Sequence, residues 1–411
     1  MKKFFVFLIV LLTCAFFAAV FHKPESKKTV IRFSAWGSQS ETALLIPLIN
    51  DFEKQNPEIK VEFLHIPQNY FQKLHLLFAS NLAPDVVFLN NYYAPKYVKA
   101  GVLEDLSPYI KKDEFFKKAL DCFTFDGKIY AIPRDVSDLV IYYNKDLFRK
   151  NNVPFPKPDW TIQEYQKTAI KLSKDTNNDG LNDVWGTSFE ADVIFWLPYL
   201  MSSGASVLSE DGKKITINEP AATDAIQKYA DLANKFNAAP QKSQSASLTM
   251  AQLFLQEKIA MHLSGRWLVP KYREEAKFDW DIVRFPKGTA GSVVNIDASG
   301  YALSKSSKHK NEALKFLSYI SSKQSLDTLT KSGLIVPARK ESAYSKNFLS
   351  AEKPESAKVF LDIIENGKPT AVNEDYQKIT DRIKLLLEPV FLGKKKAKDI
   401  FSSAVIMDFN R

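Results

Sequence analysis

Apolar positions along this chain switch repeatedly between a spacing of two and a spacing of three to four, so strands and helices are expected in alternation. Thr29–Ala35 alternates as a strand, and Ser38–Glu41 opens an apolar helix through Leu44, Leu45, Leu48, Ile49 and Phe52. Val61–Ile66 reads as a second strand, Tyr70–Ser80 as a helix and Asp85–Leu89 as a third strand. Tyr97–Leu103 then returns by a turn into Leu106–Ile110. Val140, Ile141, Tyr142 and Tyr143 form a β-branched and aromatic run suited to a buried strand, and Asn144 with Asp146 can cap the next helix. Ile259–Leu263 is a further apolar strand. Helices are expected at Tyr165–Ser173, Ala221–Asn237, Glu312–Ser321, Gln324–Lys331, Ser356–Glu365 and Tyr376–Leu387. The alternation predicts an α/β fold, in which ligands sit beyond the C-terminal ends of strands. Trp36 and the cluster Asn90, Asn91, Tyr92 fall at such ends.

With 411 residues the chain exceeds one ordinary core, and two lobes of roughly 150 to 200 residues each are expected. Its 45% hydrophobic and 25% charged composition excludes long disorder. Lys2 and Lys3 precede an uncharged stretch, Phe4–Phe21, so residues 1–22 read as an export signal or a membrane anchor. The protein is therefore expected in the periplasm or on the outer face of the cytoplasmic membrane. Leu11-Leu12-Thr13-Cys14 resembles a lipoprotein processing box with Cys14 as the lipidated residue. Ala18-Ala19-Val20 offers an ordinary cleavage site, and the stretch is nearly long enough to remain as a spanning helix. Cys122 then has no partner in the mature chain and reads as a small buried hydrophobe. The formal charge of +9 is spread among acids, apart from Lys394–Lys396 and Lys398, and no nucleic-acid partner is expected.

The segment Ile132–Phe148, IPRDVSDLVIYYNKDLF, joins a Pro-led turn, an apolar strand and a helix opening. Pro133 fixes φ and biases Ile132 towards extended backbone, so this stretch is expected to be a stiff crossing turn between lobes. The string resembles the signature of the bacterial extracellular solute-binding proteins of ABC importers, the maltose-binding-protein-like sugar-binding family. PDVVFLNNYYAPKYVKAGVLEDL, LFLQEKIAMHLSGRW, ASGYALSKSSKHKNEALKFLSYI and GLIVPARK resemble further blocks of that family in the same order. The resemblance implies a two-lobe periplasmic-binding-protein fold with discontinuous lobes and a hinged ligand cleft. Residues 29–132 plus 301–335 would form the N-terminal lobe, and 137–296 plus 338–411 the C-terminal lobe, with crossings near Pro133, Asp297–Gly300 and Val336–Pro337. It further implies a monomer that captures a carbohydrate, delivers it to ABC permease membrane subunits and requires no cofactor.

A sugar presents C–H faces that stack on indole or phenol rings and hydroxyls that need directed hydrogen bonds. On the resemblance, the cleft-lining candidates are Trp36, Asn90, Asn91, Tyr92, Asp135, Trp196, Arg266, Trp267, Asp297, Ser299 and Tyr376. Each has a plainer reading: core or rim aromatics for Trp36, Trp196 and Trp267, and turn-capping side chains for the Asn and Asp residues. Arg266 stands where relatives commonly have Pro, and Arg134 departs from the usual apolar residue. If both reach the cleft, a uronate, a sugar phosphate or a glycerol-phosphate-type ligand becomes an alternative. Asp175, Asn177, Asp179, Leu181 and Asp183 have the spacing of a calcium loop with Gly180 at its turn, but Gly186 stands where the closing Glu belongs. A structural calcium and a plain Asx-rich turn are the two readings. No HExxH, GK[ST] or GxSxG motif accompanies the five histidines; a glycosidase could still hold two carboxylates far apart in sequence, but the collinear resemblance to a binding family outweighs it, so an enzyme is not expected, while a ligand-sensing receptor subunit remains an alternative.

Overall fold

The computed structural model describes residues 28–401 except 242, 246 and 351, so the export segment and Cys14 lie outside the described residues. Ile31, Phe33 and Ala35 of strand β1 (Thr29–Ala35) are fully buried, as the alternation requires. It pairs in parallel with β2 (Ile59–His65) and β3 (Val86–Asn90), and helices make the crossovers. The helix expected after β1 is two helices, Gln39–Ala43 and Leu45–Gln55. Pro47 explains the break: its ring would clash with the carbonyl of Ala43, the last residue of the first piece. Ser38 and Glu41 form a capping box at the opening, with the Ser38 N–H donating to Glu41 at 2.6 Å.

Besides a short hairpin of Thr124–Phe125 with Lys128–Ile129, the remaining strands are β4 (Ile132–Ser137), β5 (Leu139–Asn144), β6 (Met261–Gly265), β7 (Trp280–Arg284), β8 (Asn295–Leu303), β9 (Val336–Pro337) and β10 (Lys368–Pro369). A seven-stranded sheet runs in the order β9-β4-β8-β3-β1-β2, with β10 beside β8. A separate antiparallel sheet has the order β6-β5-β7. Only Asp138 separates β4 of the large sheet from β5 of the small one. β4, β8 and β9 lie side by side, and Val136 is the partner of both Ala298 and Val336.

The stiff turn expected at Pro133 is strand instead. Proline is tolerated there because its missing N–H falls where the β4–β8 register shifts, between Ser299 and Gly300. Gly300 permits that contact, since a Cβ at this position would stand 2.6 Å from the Ile132 carbonyl oxygen. The Asn144 carboxamide caps the next helix as expected, accepting from the N–H groups of Asp146 and Leu147 at 2.9 Å each. Where a return from Tyr97 was expected, a short helix, Ala94–Lys99, ends at Gly101 with φ +67°. The helices Ile162–Leu172, Pro220–Asn234, Lys310–Ile320, Lys323–Lys331, Lys358–Asn366 and Tyr376–Phe391 cover the remaining amphipathic stretches.

Candidate ligand cleft

Strand ends position the site. Trp36 follows β1, Asn90–Tyr92 close β3, Asp135–Ser137 close β4, and Asp297–Ser299 belong to the start of antiparallel β8, which brings them to the same end. Together with Arg266 and Trp267, which follow β6, they line a cavity of about 300 Å³. Of the residues singled out in the sequence, Trp196 and Tyr376 do not line it. Trp196 is buried to 1% exposure, and its indole N–H donates to the Ala191 carbonyl at 3.2 Å; Ile194, two residues earlier, lines the cavity. Tyr376 stacks behind Tyr92 with ring centroids 5.3 Å apart.

Asp297 is the hub of a buried network. It accepts from Asn91 Nδ2 at 2.8 Å, from the Tyr92 hydroxyl at 2.5 Å and from Asn295 Nδ2, while Asn91 Oδ1 accepts from the Ala298 N–H at 3.2 Å. Burial pushes the Asp297 carboxyl above its ordinary range, and those donors pull it part of the way back. Asp135 holds Arg134 by a 2.5 Å hydrogen bond from Nε and accepts from the Ser299 N–H at 3.2 Å. Burial likewise raises Asp135, against the pull of Arg134. The Arg134 guanidinium lies 4.2 Å over the Phe88 ring, which also stacks on Trp36 at 4.0 Å between centroids.

Arg266 is different. It is 3% exposed, its guanidinium lies 3.9 Å over Phe348 and 5.2 Å over Phe360, and its three guanidinium nitrogens have no hydrogen-bond partner among the described residues. Burial lowers its pKa to about 9, so it is still a cation at neutral pH. Trp267 owes its position to the residue two before it: a Cβ on Gly265 would stand 2.0 Å from Trp267 Cζ3. The indole also borders a second cavity of about 370 Å³ that Glu190, Gln252 and His262 help to line.

Sequence reasoning missed Glu41, Ser137 and Ile194, which also line the cleft. Glu41 was legible only as the acidic partner of a helix cap. With it, three acidic residues (Glu41, Asp135, Asp297) and two arginines (Arg134, Arg266) line the cavity.

The 175–183 loop uses its oxygens on itself. Asp175 accepts from the N–H groups of Asp179 at 3.2 Å and Gly180 at 2.8 Å, Asn177 from that of Asp179 at 3.1 Å, and Asp179 from that of Leu181 at 2.8 Å. Asp183 turns to the Thr176 hydroxyl, 2.7 Å from both its oxygens. Among the described residues no three His, Cys, Asp or Glu side chains gather as a shell for a metal ion. Cys122 is buried, its thiol facing the Ile296 carbonyl at 3.6 Å.

Two sheets bridged by adjacent strands, with an aromatic and polar cavity at the bridge, define a two-lobe solute-binding architecture. The chain belongs to the bacterial extracellular solute-binding protein family, whose model matches residues 36–326. An ABC substrate-binding protein of Listeria monocytogenes, solved in complex with cycloalternan, is 30% identical and superposes with a TM-score of 0.84 over 93% of this chain and 98% of that one. The maltodextrin-binding protein MdxE of Bacillus subtilis is 25% identical over 368 residues, 86% of this chain and 84% of its own length. The maltose/maltodextrin-binding domain MalE of Bdellovibrio bacteriovorus, bound to maltotriose, shares the fold at a TM-score of 0.78 and 23% identity, over 90% and 96% of the two chains.

Proposed function

We propose that this protein is the extracytoplasmic substrate-binding component of an ABC importer, and that it captures a neutral mono- or oligosaccharide between its lobes. One observation carries the reading: two indoles, Trp36 and Trp267, share a cavity with buried carboxylates and amides whose acceptors and donors suit ligand hydroxyls. The resemblance to sugar-binding relatives supports it. The charge balance of the lining, three carboxylates against two guanidinium groups, argues against a uronate or sugar phosphate, the more so because Arg134 is already bonded to Asp135.

The mechanism needs no covalent step. A ligand that touches both lobes favours the closed arrangement by its extra affinity for that arrangement, and the closed surface is what the permease subunits would read. The family is one of binding proteins, and we assign no turnover to the chain. Working as a monomer and attachment through the N-terminal segment, by lipid on Cys14 or by a retained helix, complete the proposal. No helix among the described residues is long and apolar enough to cross a membrane.

Calorimetric titration of the protein lacking residues 1–22 against neutral saccharides, uronates and sugar phosphates tests the reading, with each mixture chromatographed afterwards. Saturable binding of a neutral saccharide recovered unchanged is the expected result. Conversion of the ligand, or binding confined to the anionic members, would overturn it.

A further inference from the structure

Asp138 is the single residue between the two sheets, and it is buried to 1% exposure with neither carboxylate oxygen hydrogen-bonded among the described residues. Its neighbour Leu139 pairs with Gly265, so Asp138 and Arg266 are the residues that step off the same end of the β5–β6 ladder. Each is a buried ionisable group without a hydrogen-bond partner among the described residues; burial pushes the Asp138 carboxyl well above its ordinary range, and the nearby Arg266 cation pulls against that. Taking one such group out of water is strongly unfavourable on its own, and two of opposite sign offset each other through a poorly screened interior. Arg266 does not escape this by shedding its charge at neutral pH, because even lowered by burial its pKa stays at about 9. Asp138 does not line the cavity, whereas Arg266 does.

We infer that Asp138 is a positioning residue that sets the charge selectivity of the cleft. It neutralises Arg266 from behind, so that Arg266 meets the ligand as a set of hydrogen-bond donors and not as a bare cation seeking an anion. Phe348 and Phe360 hold the guanidinium plane in place, and its N–H groups are buried without a partner among the described residues, so a ligand hydroxyl that reaches them as the lining parts would take up unspent donors. The carboxylates of the lining are engaged elsewhere: Asp135 by Arg134, Asp297 by Asn91, Tyr92 and Asn295, and Glu41 by the Ser38 N–H of its helix cap. The chemical class excluded by Asp138 is the carboxylated sugar. The inference rests on the saccharide-binding reading, but its central coupling is testable without any ligand.

Two measurements decide it. The first compares thermal unfolding of D138N, R266M and D138N/R266M. If Asp138 compensates Arg266, D138N strands a buried cation, and the double variant melts higher than D138N because the stranded charge is gone. A double variant that melts no higher than D138N overturns the inference. The second titrates wild type and D138N with a neutral monosaccharide panel and the matching uronates. We expect the ratio of uronate to neutral affinity to rise by at least about tenfold in D138N; an unchanged ratio overturns the selectivity role, since a merely structural Asp138 would weaken both alike. Wild type that binds no saccharide while the melting series shows coupling would sink the functional proposal and leave the Asp138–Arg266 pairing standing.

Discussion

Gly265→Ala isolates the contribution of one ring. The backbone at this position is extended, φ −98° and ψ 179°, which any residue adopts, so the added methyl meets no conformational penalty. It meets Trp267, whose Cζ3 stands 2.0 Å from the place of the new Cβ. The ring must swing away, and overpacking of this kind costs about 1–3 kcal/mol. At about 2.1 cal/mol/K of unfolding entropy per residue, a chain of this size loses only about 1 °C of melting temperature per kcal/mol, so the fold survives. The larger effect falls on binding. A saccharide covering about a quarter of the roughly 250 Å² a Trp can bury gives up about 60 Å² of contact when the ring leaves. At about 25 cal/mol/Å² that is about 1.5 kcal/mol, or roughly tenfold in Kd. Titration of a neutral oligosaccharide into wild type, G265A, W267A and G265A/W267A measures it. G265A should weaken binding by about the factor found for W267A, and the double variant should match W267A alone. An unchanged Kd in G265A, or a double variant whose losses add, would refute the argument that Gly265 acts only through the indole.

Three other outcomes are expected. Asp297 accepts from three donors, so D297N leaves amide facing amide and should lower stability by about 1–3 kcal/mol in chemical denaturation. Because burial holds Asp297 above its ordinary 3.8, the folded state keeps a proton there that the unfolded chain has released; its contribution is greatest below 3.8 and is lost as pH rises to the elevated value, and an acid-side stability profile with the same slope in D297N would contradict this. Trp196→Phe should leave saccharide affinity within about twofold while lowering the melting temperature, whereas Trp36→Ala should weaken binding at least about fivefold; reversed sensitivities would exchange the two residues' roles. We propose that the 175–183 loop is an Asx turn that needs no ion, so millimolar calcium followed by chelator should not move the melting temperature, although a specific site at a hundredfold excess would add about 2.7 kcal/mol.

Much of the fold was legible because local chemistry and tertiary packing agree. Thr29–Ala35 alternates and is a strand; the Asn144 cap and the Ser38–Glu41 box are where their side chains say they are. Pro133 misled, because its local preference for a turn yields to a sheet irregularity supplied by Ser299 and Gly300, residues far away in sequence. The helix break at Leu44 was written in Pro47 and overlooked beneath a continuous apolar period. In the cleft, residues at strand ends could be placed from the βα pattern alone. Trp196 and Ile194 could not be told apart, since which face of a helix start meets a cavity depends on how the whole helix docks. Glu41 and Asp138 were invisible for a related reason: one looked like a cap and the other like a linker, and only the assembled sheets show what each faces.

The three neighbouring strands β4, β8 and β9 behave like aligned pins of a door. A single connecting peptide would let one body swivel and tilt about the other in any direction. Three adjacent strands, with Val136 paired into both neighbouring ladders and one register shift at Ser299 and Gly300, would resist twist and shear and leave one easy bend across their common width. Ligands of different length would then drive the same swing to different extents, and a membrane partner could recognise one trajectory without reading the identity of the cargo.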